Sequence, residues 1–575
     1  MTRDYLLCLS AGGSPPHLDP PLEHALASCG CVRRFAAGNM LLSVGEDVPV
    51  RSLKGGVGWI VGDLFDRAGH PAPEEIAIAA AASGAKRLID SMWGSYLLFA
   101  AGDAGFEALR DPSGGLACYH AEAGGKHYFT SLPHLLVDCG LVAADLDWAM
   151  ILHSLTQRAE RLSRTQVRGV DEPIAGTRFT VTGRNIASEQ LWDPWAFASR
   201  PFDGAPAEGL RDALGSTLEA WGRTFRRPLI EISGGLDSAI VAAGLGASAP
   251  GASLITFAPA HGDPDETLYA RAIADRLGLP LTIAKPRLED VDLERSLSAN
   301  LPRPNARAFT QAADLKSLEL GRAIGADAFF SGGGGDDMFC YLRTILPAID
   351  RLHVEGVRGM ASTALDIARM THATLWDAFS RVARRLIRRG PSASRADLRF
   401  IAAEAASSCV AMQPDPPRDP RLPGKADHVR AVMTIHNYLE GHSRTQQAPI
   451  VSPLLSQPIV ECSLAIPTWA WCEGGRNRAV ARAAFRDRLP QMVLDRRSKG
   501  RFDGFCAALL DANRGLLRSM LLDGHLARQG LLDRPAIDAA LANPFPPADV
   551  VSRLLILADV ESWAASWLAR PAQRF

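Results

Sequence analysis

With 575 residues the chain exceeds the range over which one hydrophobic core keeps growing, so two or more domains are expected. Hydrophobic residues at 47% and charged residues at 22% exclude a disordered, fibrous or coiled-coil chain, and a formal net charge of -1 gives no overall basic field for nucleic acid. The ten cysteines, spread from Cys8 to Cys506, contain no C-x-x-C pair, which argues against a metal knuckle or a disulfide framework. The opening MTRDYLLCLS lacks the basic region and apolar run of a signal peptide, and no stretch reaches the roughly 18 apolar residues of a membrane span. A cytoplasmic protein with reduced thiols is expected, with neither nucleic acid nor a membrane among its partners.

From Met1 to about Trp195 the sequence reads as short strands punctuated by glycine, for example Gly94 to Ala100 and Lys126 to Thr130, and predicts a β-rich first domain over residues 1–200. A break at Ser199 to Pro206 precedes apolar residues at helical spacing (Leu210, Ala213, Leu214, Leu218), so a second domain is expected over 201–575. That domain opens with the strand Pro228 to Ile232, a glycine loop, and a helix over Ala239 to Leu245. A strand over Ser253 to Phe257, a helix over Asp265 to Leu277 and a strand over Pro280 to Ile283 follow. Such alternation predicts a doubly wound parallel sheet with ligands at the carboxyl ends of its strands. Beyond about Asp337 the pattern is mostly helical, interrupted by an arginine-rich stretch, Arg381 to Arg399, and a proline-rich one, Gln413 to Pro423. The arginine-rich stretch reads as a solvated basic helix and loop.

Two loops carry the chemistry. Ser233-Gly234-Gly235-Leu236-Asp237-Ser238 stands between an apolar strand and a helix, where small residues let backbone N–H groups close around phosphate oxygens. No Gly-Lys-Ser/Thr follows, so γ-phosphate transfer is not the natural reading. Asp237 inside such a nest repels phosphate unless Mg²⁺ lies between them. The second loop, Ser331 through Gly332, Gly333, Gly334 and Gly335 to Asp336 and Asp337, also follows an apolar stretch and ends in carboxylates. Together the two can hold one Mg²⁺-pyrophosphate from two sides.

The pair of loops resembles that of the asparagine synthetase superfamily of ATP pyrophosphatases, and Asp265 to Gly278 is similar to the helix between them in that family. The likeness extends to Trp93 to Phe99, Arg110-Asp111-Pro112-x-Gly114 and Phe129-Thr130-Ser131 of a glutaminase-type (Ntn) sandwich domain. It also covers Arg478 to Arg482, Phe485 to Pro490 and Arg497 to Gly500 of the synthetase carboxyl-terminal segment. The resemblance implies AMP-forming adenylation with ATP and Mg²⁺, Asp237 and Asp336 as metal ligands, and Ser233, Gly234, Gly235, Ser238, Ser331 and Gly332 around the pyrophosphate. It further implies Ile232 and Phe257 near the adenine, and Lys499 facing the acyl-adenylate, where a fixed cation meets charge as it develops.

Three departures refine this. Glutaminase-active relatives use an N-terminal cysteine, but the second residue here is Thr2 and the first cysteine is Cys8, so glutamine hydrolysis is not expected. Asparagine synthetases carry Glu, and β-lactam synthetases Tyr, at the position of Gly333. Ala448 to Leu455 lacks the charged pair that would meet a small amino acid. An adenylating enzyme without its own ammonia supply takes the amine from its substrate, and the combination resembles the lasso peptide cyclases. That resemblance implies a precursor peptide substrate, with a leader peptidase and a leader-recognition protein as partners. The alternatives are a β-lactam synthetase, an ammonia-dependent asparagine synthetase, a non-catalytic scaffold and a tRNA thiolase. A general base is not assigned; His436, Glu440 and His442 could deprotonate an amine or form a solvated polar cluster at a helix end.

Overall fold

The computed structural model describes residues 3–10, 15–102, 105–158, 160–183, 185–259, 262–263, 265–341, 344–387, 396–409, 419, 421–497, 500 and 502–570. Eleven strands build its amino-terminal part: β1 (Tyr5–Ser10), β2 (Arg33–Ala37), β3 (Met40–Val44), β4 (Val50–Ser52), β5 (Gly58–Asp66), β6 (Met92–Gly102), β7 (Gly105–Arg110), β8 (Tyr119–Ala123), β9 (Lys126–Thr130), β10 (Thr177–Thr182) and β11 (Asn185–Gln190). They form two antiparallel sheets, five strands in the order β2-β3-β1-β9-β8 and six in the order β11-β10-β7-β6-β5-β4.

In β1, β5 and β6 side chains alternate between two buried environments, which is why these strands read as nearly unbroken apolar runs. Tyr5, Leu7 and Leu9 of β1 meet Trp59 and Val61 of β5 and Leu97 and Phe99 of β6 in the core between the sheets. From the opposite faces, Leu6 and Cys8 pack on helices including Pro20–Ser28 and Ala548–Leu568, while Ile60, Leu64, Trp93 and Leu98 pack toward Glu74–Ala82 and Pro206–Thr224. The result is a helix–sheet–sheet–helix sandwich.

The second part is a five-stranded parallel sheet in the order β14-β13-β12-β15-β16. Its strands are β12 (Pro228–Glu231), β13 (Ser253–Phe257), β14 (Leu281–Ala284), β15 (Ala328–Phe330) and β16 (Ile450–Val451). The chain winds outward from β12 to β14, then returns to place β15 on the other side of β12, so the strand order reverses between β12 and β15. Ligands bind at such a switch point, outside the carboxyl ends of the strands. Ile230 pairs with Phe330 across it, and both glycine loops leave the sheet there.

Boundaries shift by a residue or a few from the sequence reading. The helix expected from Asp265 begins at Thr267, and the Asp265 carboxylate takes the backbone N–H of Thr267 at 2.8 Å in a turn just ahead of it. β16 lies in a region that reads as helical, and its two residues are too few to show any periodicity.

A buried ionic cluster ties the two parts together. Glu172 accepts from Arg110 at 2.7 Å, from Arg161 at 2.6 Å and from Arg303 at 2.6 Å, the last contributed by the part that carries the parallel sheet. Glu440 lies 3.7 Å from both Arg110 and Arg161 and takes the Tyr119 hydroxyl. Burial alone raises the Glu172 pKa, but Arg161, Arg303 and Arg110 together hold it well below the usual carboxylate range.

Because the folded-state pKa is depressed, this carboxylate contributes stability at neutral pH that is lost as pH falls below the ordinary glutamate range toward the folded value. Glu172→Gln strands buried guanidinium groups without a counter-charge and should cost about 3–5 kcal/mol at pH 7. The expected result is a lower urea midpoint for the variant, with the gap to the wild type narrowing under acid.

Candidate adenylation site

In the first loop, Gly234 adopts φ +64 and fits only as glycine, since a Cβ there would lie 2.7 Å from the Tyr269 Cβ and 3.0 Å from the Glu266 carbonyl oxygen. The Ser238 hydroxyl takes the Ser233 N–H at 3.1 Å and closes the turn from β12 into the helix Leu236–Leu245. The first amides of that helix, with Asp237 among them, form a positive pole for an anion.

The second loop crosses the first at contact distance. A Cβ on Gly332 would stand 2.7 Å from the Ser238 nitrogen, and one on Gly335 would stand 2.3 Å from the Asp237 Cβ. The glycine run is therefore a packing requirement as well as a phosphate cradle. Ser331 shapes the turn by accepting the Gly333 N–H at 3.0 Å.

The crossing brings Asp237 and Asp336 onto one cation. Nη1 of Arg478 donates to both carboxylate oxygens of Asp237 at 2.8 Å and to Asp336 at 3.0 Å, while the guanidinium stacks over Tyr341 at 5.1 Å. Arg478 reaches this position from a left-handed backbone conformation, φ +57, that few side chains adopt. Two carboxylates that converge on one cationic atom are a donor set that fits a divalent cation. Among the described residues no group of three or more His, Cys, Asp or Glu side chains forms a metal site of its own.

The carboxyl-terminal segment folds back over the loops. Arg496 donates to the Gly234 carbonyl at 3.0 Å, pairs with Glu266, and stacks on Tyr269 at 4.4 Å. The Gly500 N–H reaches Glu266 at 3.0 Å. Lys499 and Thr2 lie outside the described residues.

Above the loops is a cavity of about 350 Å³ lined by Ile232, Ser233, Phe257, Ser331 and Gly333. Gly234, Gly235, Gly332 and Ser238 are not in its lining; they make the turn and the contact behind it. Its far wall carries Arg307, Tyr438, His442 and Arg444. Arg444 is engaged by Glu231 at 2.9 Å and lies 3.4 Å from Asp314. Arg307 stacks on Tyr438 at 4.9 Å and follows Ala306, a second non-glycine residue at positive φ. Backbone strain of this kind concentrates at functional sites.

A second cavity, of about 420 Å³, lies between the sandwich and the part that carries the parallel sheet, and Leu439, His442, Ile450 and Ser452 line both spaces. Gly333, in the lining of the first cavity, leaves room for a side chain: a Cβ there would meet only Ser331 Oγ at 3.3 Å and Ser452 Oγ at 3.9 Å.

His436, Glu440 and His442 do not form one solvated cluster. His436 is buried against the Ser113 carbonyl at 3.1 Å, and burial, followed by Arg161 and Arg110, pushes its pKa down to about 4. Glu440 belongs to the ionic cluster around Arg110. His442 is half-buried 3.6 Å from Asp314, with its pKa lowered mainly by desolvation, and it alone of the three reaches the cavity above the loops.

A parallel sheet with paired glycine loops at its switch point, and acidic residues facing an anion cradle, defines an α/β enzyme built to hold a nucleotide by its phosphates. The family model for asparagine synthase matches residues 209–565, and the chain belongs to that family. Its members are ATP-dependent carbon–nitrogen ligases that form AMP, so this chain is an ATP-using amide-forming ligase. Two solved structures are similar over 57% of the chain. One is titled as the allosteric regulatory enzyme of purine biosynthesis, with 11% identity, 74% of that chain covered and a TM-score of 0.20. The other is the glutamine phosphoribosylpyrophosphate amidotransferase from B. subtilis complexed with ADP and GMP, with 10% identity, 84% of that chain covered and a TM-score of 0.20. No curated protein gives a match.

The bridge predicts a cost when it is cut. Arg478→Ala leaves Asp237 and Asp336 facing each other without the cation that aligns them, and should lower ATP–pyrophosphate exchange by roughly 10²–10³-fold, the usual scale for a preorganised electrostatic contact. Asp237→Asn and Asp336→Asn should each abolish exchange with the fold retained, as checked by circular dichroism.

Proposed function

We propose that the protein closes a macrolactam in a precursor peptide, adenylating an Asp or Glu side chain and joining it to the peptide's own N-terminal amine, as in lasso peptide biosynthesis. The observation that carries this reading is the second cavity. A space of about 420 Å³ adjoins the activation cavity through four shared residues. It offers more room than ammonia needs and suits a folded peptide segment.

Two features of the acceptor side agree. Gly333 leaves space in the first cavity next to Ser452, which lines both, and Ala448 to Leu455, which carries β16, brings no charged pair there. The amino-terminal sandwich is read as a glutaminase-like Ntn domain that no longer hydrolyses glutamine. The first cysteine, Cys8, is buried in β1 with its thiol pushed up to about 11, chiefly by burial, which leaves it no thiolate with which to attack.

In the proposed reaction a substrate carboxylate oxygen attacks the α-phosphorus of ATP and pyrophosphate leaves. The N-terminal amine then attacks the acyl carbon, AMP departs, and the amine loses a proton. Ile232 and Phe257 flank the adenine, and the backbone of the two loops from Ser233 to Ser238 and at Ser331 and Gly332 holds the pyrophosphate. Asp237 and Asp336 would hold Mg²⁺, which when bound offsets charge on the pyrophosphate. Arg307, cationic and set on the cavity wall, is suited to an anionic group of the bound substrates, and Lys499 to charge growing on the departing AMP. Both reacting groups lie in one molecule, so closure gains from orientation rather than encounter. A leader peptidase and a leader-recognition protein would supply the trimmed peptide in the cytoplasm.

Incubation with ATP and a leader-free core peptide should yield AMP, pyrophosphate and a product lighter by one water, read by mass spectrometry. Lys499→Ala should slow ring closure by roughly 10²-fold while sparing pyrophosphate exchange. Closure of a β-amino acid, with no dehydration of any acidic peptide, would instead assign a β-lactam synthetase.

No glutaminase activity is expected. Glutamate release from glutamine should stay at the uncatalysed level with and without ATP; release that disappears in Thr2→Ala would overturn this account of the sandwich.

A further inference from the structure

The helix Leu375–Ile387 is amphipathic, yet its apolar side is only partly used by the fold. It buries Ala378 and Val382 against the neighbouring helix Leu346–Thr371. At about 100° per residue the remaining apolar residues continue the same stripe around the helix. Those residues face solvent: Trp376 is 82% exposed, Ile387 80%, Leu375 48%, Leu386 39% and Phe379 37%. The neighbouring helix adds Val354 and Val357, exposed by 60% and 67%. An apolar face of this size left in water is a site of interaction.

Its polar side is basic. Arg381, Arg384 and Arg385 stand against the single acid Asp377, so the helix carries a net charge of +2 at neutral pH. Arginines on one side with tryptophan, phenylalanine and long aliphatic residues on the other are the composition of a helix that lies in the headgroup region of a bilayer. There the tryptophan ring sits at headgroup level, and the guanidinium groups extend to lipid phosphates. A protein pocket would select a few anchors of matched shape, whereas this face offers side chains of unequal size along one open side, which a fluid surface accommodates.

We propose that this helix docks the enzyme reversibly on an anionic phospholipid surface, with Trp376, Phe379 and Ile387 entering the headgroup region and Arg381 and Arg384 meeting lipid phosphates. Among the described residues no helix is long and apolar enough to cross a membrane, so the contact is peripheral. It revises the expectation from sequence that no membrane takes part, which rested on the lack of a spanning segment. None of the helix's residues lines either cavity, so docking leaves both free for substrate.

Flotation of the full-length protein with vesicles of phosphatidylglycerol and phosphatidylcholine, and with phosphatidylcholine alone, tests this. Binding to the anionic vesicles is expected, at least tenfold weaker on the neutral ones and weakened by high salt. Trp376→Ser with Ile387→Ser, and separately Arg381→Glu with Arg384→Glu, should each reduce binding at least tenfold. Melting temperature and ATP–pyrophosphate exchange should stay unchanged, because the substituted side chains are exposed and remote from the cavities. Absence of flotation with anionic vesicles, or equal flotation of the wild type and both variants, overturns the proposal. Self-association of the wild type that the serine variant loses, without vesicle binding, also overturns it and assigns the face to a second copy of the chain.

Discussion

Two carboxylates held on one guanidinium, at the crossing of two glycine loops, are the constraint around which the site is arranged. Asp237 and Asp336 repel each other, and Arg478 is the counter-charge that lets both stand at the carboxyl end of the sheet. The crossing is tight enough that neither Gly332 nor Gly335 tolerates a side chain, so the positions of the acids follow from backbone contact rather than from flexible rotamers. That contact in turn depends on the parallel pairing of Ile230 with Phe330, which brings the ends of β12 and β15 level.

The same logic holds at larger scale. Glu172 takes Arg303 from the synthetase part and Arg110 and Arg161 from the sandwich, fixing the distance between the two halves and hence the shape of the cavity between them. The last long helix adds a second tie. Arg553 donates to the Leu155 carbonyl of the sandwich at 2.8 Å, and Asp559, six residues further on, accepts the backbone N–H of Arg307 at 3.2 Å. A residue of the cavity wall is thus held by an element that also grips the other domain.

Much of this was legible in the sequence, and the limits have physical reasons. The loop from Ser233 to Ser238 and the run from Ser331 to Asp337 announce themselves because backbone geometry demands small residues in a short window. Ile232, Ser233, Phe257 and Ser331 do come together in one cavity. Arg478 could not be assigned its place, since its partners are remote in the chain and an isolated arginine has no local pattern. The sequence leaves His436 and Glu440 open between a base and a solvated cluster because their partners, Ser113 and Arg110, belong to the other half of the molecule. The arginine-rich stretch showed its charge, but the outward turn of Trp376 and Ile387 depends on which side of the helix the fold covers.

β16 is only two residues long, yet Ile450 and Ser452 at its edge border both cavities, while Phe329 and Ser331 donate to the Pro449 and Val451 carbonyls at 2.9 and 3.1 Å. One short strand thus completes the sheet and forms the partition between two chambers. Changes in it that suit a new substrate loosen the frame carrying the second glycine loop, so its tolerance for drift is small. Gly333, which faces the same partition but bears no ladder contact to the strand, is free of that coupling. A larger side chain at Gly333 would therefore reshape the wall of the first chamber without breaking a rung of the sheet.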